Sequence, residues 1–99
     1  MPRYHVMLHA QLPDHLRLAG MERDGQFPRG FFVHRIVRAP NLPEAGFEAI
    51  ALLQSESGFA RIVENAGGVA PDIIVHDAER TRRGDADRVN ESGYAFYLH

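Results

Sequence analysis

The stretch Arg3–Gln11 constrains the fold most, because its residues alternate between two chemically different sets. A β-strand sends successive side chains to opposite faces of its sheet. One face then carries the apolar set Tyr4, Val6, Leu8 and Ala10, and the other carries the mixed set His5, Met7, His9 and Gln11. The first set predicts a face covered by helices. The second predicts a face that meets solvent, a ligand or a second chain.

Three further segments have the composition of strands. FFVHRIVRA, residues 31–39, is rich in aromatic and β-branched residues. DIIVHDA, residues 72–78, predicts a third strand and GYAFYLH, residues 93–99, a fourth. The stretch between them, residues 79–93, is almost entirely polar and charged, which predicts a loop.

Two helices are predicted between the second and third strands. Asn41 is a good N-cap, and Glu44 follows at the spacing of a capping box. The expected apolar stripe comprises Ala45, Ala49, Leu52 and Leu53, widened by Phe47 and Ile50, and the helix should end near Ser57. A glycine such as Gly46 weakens a helix, so we expect it to be there because a neighbouring element packs closely against this position. A short second helix is predicted over 59–65, ended by Gly67 and Gly68.

The order strand, strand, helix, helix, strand, strand predicts one α+β domain over residues 1–99. We expect a two-layer sandwich with a four-stranded, largely antiparallel sheet. One main and one short helix should cover one face of that sheet.

Composition excludes several kinds of chemistry. The chain has no cysteine, which excludes disulfides, thiolate nucleophiles and cysteine-ligated metals. All eleven basic residues are arginine, so a lysine Schiff base and a P-loop are excluded. The net charge of −2 argues against a nucleic-acid partner. Neither a membrane span nor a signal peptide is visible, so we expect no membrane association and a cytoplasmic protein.

The segments MPRYHV, GFFVHRIVRAPNLPEAGFEAIALL and GYAFY together resemble an uncharacterised family of small bacterial α/β proteins. The shared features are a Tyr-His-Val first strand, a strand-to-helix junction ending in Pro-Glu-Ala, and an aromatic closing strand. The chain departs from that pattern after the glycine pair, where Arg80, Arg82 and Arg83 intervene. The resemblance implies a ferredoxin-like or similar two-layer fold and implies no activity.

Histidine is the residue type that most indicates chemistry, with six copies in 99 residues. On a strand, His5 and His9 lie roughly 13 Å apart, so they cannot chelate one ion directly. His34 and His76 could join His5 across strands, but no histidine metal motif supports this, and we expect no metal site and no cofactor. His76 and Asp77 are adjacent, which on a regular strand places them on opposite faces and makes Asp77 a poor partner for a catalytic histidine.

The candidate binding residues are therefore those expected on the open face: His5, His9, His34, Arg38 and His76. The favoured function is an interaction module that forms a homodimer through this face. One alternative is a ligand- or metal-binding protein, a small enzyme included, that uses the same histidine-bearing face. An enzyme is the less favoured form, because no catalytic motif is present.

A second alternative is an antitoxin-like partner-binding domain, because the hairpin-then-helix start is similar to small antitoxins with a partial RNase H fold. The aromatic residues of the strands could in principle stack on RNA bases. No basic-glycine-aromatic RNP pattern accompanies them, so we expect them to pack in the core or at a dimer interface.

Overall fold

The first two strands pair along their whole length in a computed structural model that describes residues 1–12, 28–81, 90 and 93–98. Strand β1, Arg3–Gln11, runs antiparallel to β2, Gly30–Arg38, from the pair Arg3 and Arg38 to the pair Gln11 and Gly30. The Leu12 N–H donates to the Arg29 carbonyl at 2.8 Å and continues the ladder. The bounds of β1 are those predicted.

Two further pairings complete the sheet. Strand β3, Asp72–Thr81, pairs with the other edge of β1, and β4, Ala95–Tyr97, pairs with the first three residues of β2. The order is β3-β1-β2-β4, and every neighbouring pair is antiparallel. This confirms the predicted four-stranded antiparallel sheet and the α+β class. Because β2 and β3 both oppose β1, they are parallel to each other, and the chain between them is the crossover of a split β-α-β unit.

A β-bulge interrupts the pairing of β3 with β1. Met7 lies opposite Asp77 and Leu8 lies opposite Val75, so His76 is an extra residue on β3. The regular alternation of β3 is therefore broken at this point. The prediction that His76 and Asp77 point to opposite faces is wrong, because the bulge turns both toward the face of β1 that carries His5 and His9.

The main helix, α1, spans Leu42–Gln54 and begins as predicted. The Asn41 side-chain oxygen accepts a hydrogen bond from the Glu44 N–H at 3.0 Å. Gly46 is buried, and a Cβ at that position would lie 2.9 Å from Cγ2 of Val75. Close approach of α1 to β3 therefore requires a glycine here.

The second helix, α2, spans Ser57–Asn65, two residues longer at its start than predicted. Gly67 and Gly68 follow it with φ of 75° and 87°, a conformation that glycine adopts without strain. The Gly68 N–H donates to the Val63 carbonyl at 2.9 Å and closes the helix end. The predicted stop signal is confirmed.

One hydrophobic core cluster joins residues of both helices to residues on one face of the sheet. β1 contributes the predicted alternating set to this cluster. The buried core residues are Tyr4, Val6, Leu8, Ala10, Leu12, Phe31, Val33, Ala39, Ala45, Ala49, Leu53, Phe59, Ile62 and Ala66. The alternation of β1 therefore places His5, Met7 and His9 on the opposite side, which we call the open face.

Three sequence predictions are corrected, two about the length of a strand and one about the burial of a side chain. Residues 79–81 were expected in a loop but belong to β3. Their backbone pairs with Arg3–His5, and polar side chains do not prevent this pairing at an exposed strand end. Phe47, expected in the apolar stripe of α1, is 67% exposed. Strand β4 is three residues long rather than seven. The rest of the predicted loop, apart from Asn90 and Gly93, lies outside the described residues.

One polar side chain pairs with the backbone of β2 beyond the end of β4. The Asn90 side-chain oxygen accepts from the Ile36 N–H at 2.7 Å, and its NH₂ group donates to the Ile36 carbonyl at 3.0 Å. Two residues earlier, the His34 carbonyl accepts from the Arg35 guanidinium at 2.6 Å.

Candidate functional site

The open face carries all five predicted site residues. His5 and His9 lie on β1, His34 and Arg38 on β2, and His76 at the bulge of β3. The face is not one histidine cluster. It has a histidine pair near its middle, a cluster of rings toward one end, and the facing residues Arg3 and Arg38 at the other.

The histidine pair joins His5 to His34. Nε2 of His5 and Nδ1 of His34 are 3.0 Å apart, and the two rings meet edge to face with centroids 5.1 Å apart. One nitrogen donates and the other accepts, so this hydrogen bond needs one neutral ring at least. Partial burial, the nearby charge of His5 and that of Arg35 together lower the pKa of His34 below its usual 6.5. The neutral form of His34 is thereby favoured.

A cavity of about 140 Å³ adjoins this pair and is lined by His5, Met7, His34, Asp77 and Glu79. The bulge turns the Asp77 carboxylate toward it, while Oδ1 of Asp77 also accepts from the Ala78 N–H at 2.9 Å. Imidazoles and carboxylates therefore face one space large enough for a few water molecules. Among the described residues, no group of three or more His, Asp or Glu side chains is placed to hold a metal ion.

The ring cluster is centred on His9 and Phe32. These two rings stack with centroids 4.6 Å apart and planes 15° apart. Nε2 of His9 lies 2.6 Å from the Tyr97 hydroxyl, and the Tyr97 ring also contacts Phe32. His76 packs edge-on to Phe32 at 5.3 Å. His9 and His5 thus have different partners, in agreement with the strand spacing.

Three arginines lie at the end of the sheet formed by the start of β1 and the ends of β2 and β3: Arg3, Arg38 and Arg80. Arg3 and Arg38 are directly opposite each other on the open face, whereas Arg80 is paired with Tyr4 and therefore lies on the other side of the sheet. All three line a cavity of about 470 Å³. Arg38 therefore does not join the histidines with which it was predicted.

A second polar cluster, which the sequence did not reveal, lies on the covered face. Arg35 occupies a core-facing position of β2, and its side chain is 2% exposed. Its Nε and Nη2 donate to the two carboxylate oxygens of Glu56 at 2.8 and 2.7 Å. The Tyr94 hydroxyl donates to the same carboxylate at 2.8 Å. The sequence did contain one sign of this cluster. Arg35 alternates with Val33 and Val37 on β2, so it had to face the core and needed an acidic partner there.

The two acidic groups of this cluster are shifted in opposite directions. Burial alone would raise the pKa of Glu56, but hydrogen bonds from Arg35 and Tyr94 and the charge of Arg35 outweigh burial and lower it. Burial raises the pKa of Tyr94 to about 12, with further contributions from its hydrogen bond to Glu56 and from the charge of that carboxylate. The cluster therefore consists of a guanidinium, a carboxylate and a neutral phenol. Each group has a partner, which fits a structural role.

Other polar residues have structural roles or lie outside the described residues. Ser55 is the C-cap of α1, and its hydroxyl donates to the Leu52 carbonyl at 2.7 Å. His15, His99, Arg82 and Arg83 lie outside the described residues. Within the part of the chain that is described, no helix is long and apolar enough to cross a membrane.

Comparison with protein families, with curated proteins and with solved structures gives no match to this chain. The resemblance to a family of small bacterial proteins stays a prediction. The function has to be argued from the open face itself.

Proposed function

We propose that the protein is an interaction module that forms a homodimer through the open face of its sheet. The observation that carries this proposal is the character of that face. Aromatic, imidazole and aliphatic side chains share it, and Ile74, next to the ring cluster, is 55% exposed. An exposed apolar patch of this kind is typical of a protein–protein contact.

A second copy of the chain is the partner that this surface fits best. Aromatic residues and methionine are enriched in the cores of interfaces, and charged residues are depleted there. Phe32, Tyr97 and Met7 satisfy the first condition on the open face. Burial lowers the pKa of His34, with the charges of His5 and Arg35 adding to it, which favours the neutral ring at that position. In a twofold dimer the same patch of both copies forms the contact, so that each residue contacts a different residue of the partner and the contact is repeated in reverse.

For the architecture, we propose that helices and sheet form a two-layer sandwich of a ferredoxin-like or similar kind. Two observations support this. The core residues of α1 and α2 cluster with one face of β1 and β2, and β2, the helices and β3 form a split β-α-β unit, which ferredoxin-like folds also contain.

A second candidate function is binding of a small polar ligand beside the histidine pair. The cavity next to His5 and His34 favours it, because imidazoles and the carboxylates of Asp77 and Glu79 face one space. Native mass spectrometry separates the two candidates. A homodimer gives the mass of two chains, whereas a ligand-binding monomer gives one chain plus a small mass that His34→Gln removes.

Sedimentation velocity at micromolar concentration tests the dimer. We expect the wild-type protein to sediment as a dimer, and Ile74→Glu and His34→Glu to sediment as monomers, since each places a carboxylate on the open face. Phe47→Glu is the matched control, because Phe47 is a comparably exposed apolar residue on α1, away from the open face. It should remain a dimer.

A monomeric wild-type protein would refute the proposal. So would dissociation by Phe47→Glu with no effect of the two open-face variants. The His34 variant also separates two ways of dimerising. Contact through the open face would be disturbed by both variants, whereas strand pairing along the outer edge of β3 would be disturbed by Ile74→Glu alone, because His34 lies on β2.

A further inference from the structure

We propose that the outer edge of β3 binds an extended segment of another protein as an added strand, and that basic and apolar residues alternate in this segment. The observation is an outer strand whose unused backbone groups lie beside an apolar cavity. In the part of the chain that the structure describes, β3 pairs with β1 along one edge and with no strand along the other. The proposal is independent of the homodimer, because these backbone groups point along the plane of the sheet and not out of the open face.

The hydrogen bonds at the two ends of the β1–β2 ladder show which backbone groups of β3 point outward. The Leu12 N–H donates to the Arg29 carbonyl, and the Ala39 N–H donates to the Pro2 carbonyl. Hydrogen-bonded pairs alternate along an antiparallel ladder, so the even-numbered residues of β1 are bonded to β2 and the odd-numbered ones face β3. The residues of β3 that are paired with even-numbered positions therefore direct their N–H and C=O groups away from the sheet. They are Ile73, Val75, Ala78 and Arg80.

The bulge divides this edge into two parts. Beyond the bulge, the Ala78 N–H is already bonded to Oδ1 of Asp77 at 2.9 Å. Before the bulge, the outward backbone groups of Ile73 and Val75 form no hydrogen bond with any residue that the structure describes. A strand edge of this kind can pair with an extended segment of another chain. We therefore expect the added strand to lie along residues 72–77.

The covered side of this edge favours an apolar side chain in the added strand. A cavity of about 430 Å³ lies between the start of α1 and β3, and its lining includes Leu42, Pro43, Gly46 and Val75. Leu42 and Val75 are 46% and 41% exposed. Every second side chain of an added strand points to this side. An aliphatic side chain there would bury the apolar surface of both residues.

The open side of the same edge favours basic side chains. Asp72, Asp77 and Glu79 are exposed and lie on this side, because their partners on β1 are residues of the open face. Arg80, which is paired with Tyr4, lies on the other side. Opposite charges on neighbouring strands stabilise the pairing. Basic residues should therefore occupy the positions that alternate with the apolar ones.

A second copy of β3 is a poorer occupant of this edge. Pairing two copies along it would bring the carboxylates of both to one side of the contact, with no arginine of β3 on that side. Like charges on neighbouring strands are destabilising. The charge of the edge thus favours a basic segment of a different protein.

A capped seven-residue peptide with arginine and valine at alternating positions tests the proposal. Isothermal titration calorimetry at low ionic strength should give a dissociation constant of about 0.1–1 mM. A valine opposite Val75 in antiparallel pairing directs its N–H at β3. The same peptide with methylated valine nitrogens keeps every side chain but loses these donors, so it should bind about tenfold more weakly. A peptide with glutamate in place of arginine should not bind in this concentration range.

Two variants of the protein locate the site. Leu42→Gln makes the cavity more polar and should weaken binding several-fold, whereas Val69→Gln, at a comparably exposed apolar residue outside the cavity, should bind as the wild type does. Glu79→Gln should weaken binding about twofold to threefold, and Glu64→Gln on α2 is its matched control. Amide hydrogen exchange followed by NMR is the second readout. The N–H groups of Ile73 and Val75 should exchange more slowly when the arginine–valine peptide is bound.

Four results would overturn the proposal. The first is no binding of the arginine–valine peptide at about 1 mM. The second is equal binding of the methylated peptide, which would mean that only the side chains attract it. The third is an equal effect of Leu42→Gln and Val69→Gln. The fourth is a dimer that Ile74→Glu dissociates and His34→Glu does not, because a second copy of β3 would then occupy the edge.

Discussion

The two faces of the sheet each carry a polar cluster, and the clusters differ in what surrounds them. On the covered face, a buried Arg35 is bonded to a half-buried Glu56, which also accepts from a half-buried Tyr94. On the open face, His5 and His34 form a single hydrogen bond next to solvent. Burial is costly for a polar group without partners, so the covered cluster has to be complete. Water can hydrogen-bond to the side chains of the open-face cluster, so these side chains can exchange water for a binding partner.

The comparison predicts that removing one member of the covered cluster has the largest effect. Glu56→Ala leaves the buried Arg35 guanidinium without its carboxylate, which should lower the free energy of unfolding by about 3 kcal/mol. Glu64→Ala, at an exposed position of α2, the helix that Glu56 precedes, should change it by less than about 0.5 kcal/mol. Urea unfolding of both variants checks this. Equal values for the two would mean that the cluster contributes no more than a surface charge.

The second largest effect on stability is expected from removing a tyrosine hydroxyl, and one tyrosine on each face allows a direct comparison. Tyr94 donates to a carboxylate on the covered side, and Tyr97 is bonded to His9 on the open side. Hydrogen bonds to charged groups contribute about 1.5–3 kcal/mol and neutral ones about 0.5–1.5 kcal/mol. Tyr94→Phe should therefore destabilise the protein more than Tyr97→Phe, as measured by urea unfolding. The reverse order would contradict the contrast between the faces.

The smallest effect concerns pH. Because the pKa of His34 is lowered by folding, the folded protein binds a proton there less readily than the unfolded chain does. Stability should be unaffected by His34 above the unfolded value of 6.5 and should fall as the pH drops below it. His34→Gln should flatten this part of the stability curve, measured as the urea midpoint against pH. His5→Gln should flatten it partly, because it removes one of the charges that lower the pKa. An unchanged slope in both variants would exclude the histidine pair as its source.

The acid side separates the two clusters further. The lowered pKa of Glu56 contributes stability that is present above its unfolded value of 4.5 and is lost as the pH falls through the folded pKa. The histidine and the carboxylate therefore act in different pH ranges. A stability curve of the wild type that falls below 6.5 and again below 4.5 should lose its first step in His34→Gln and its second in Glu56→Ala.

The parts of the fold that depend on local sequence were predictable. The alternation in Arg3–Gln11, the cap at Asn41 and the close approach at Gly46 each follow from a few neighbouring residues. The glycine pair at the end of α2 is of the same kind.

The rest depends on contacts between distant parts of the chain. Glu56 is bonded to Arg35 across a separation of 21 residues and to Tyr94 across 38, which no local pattern reports. The bulge at His76 depends on how β3 aligns with β1, and it decides which side chains line the histidine cavity. The open face was therefore predictable as a surface, whereas its division into a histidine pair, a ring cluster and an arginine end was not.

The Asn90 side chain has a consequence for aggregation. An outer strand with unused N–H and C=O groups is a template on which further strands of other molecules can assemble. Strand β4 covers only the first three residues of β2, and at Ile36 both backbone groups are already bonded to the Asn90 amide. A single side chain thus occupies both backbone groups of Ile36, and an incoming chain would have to displace it before it could pair with β2 there.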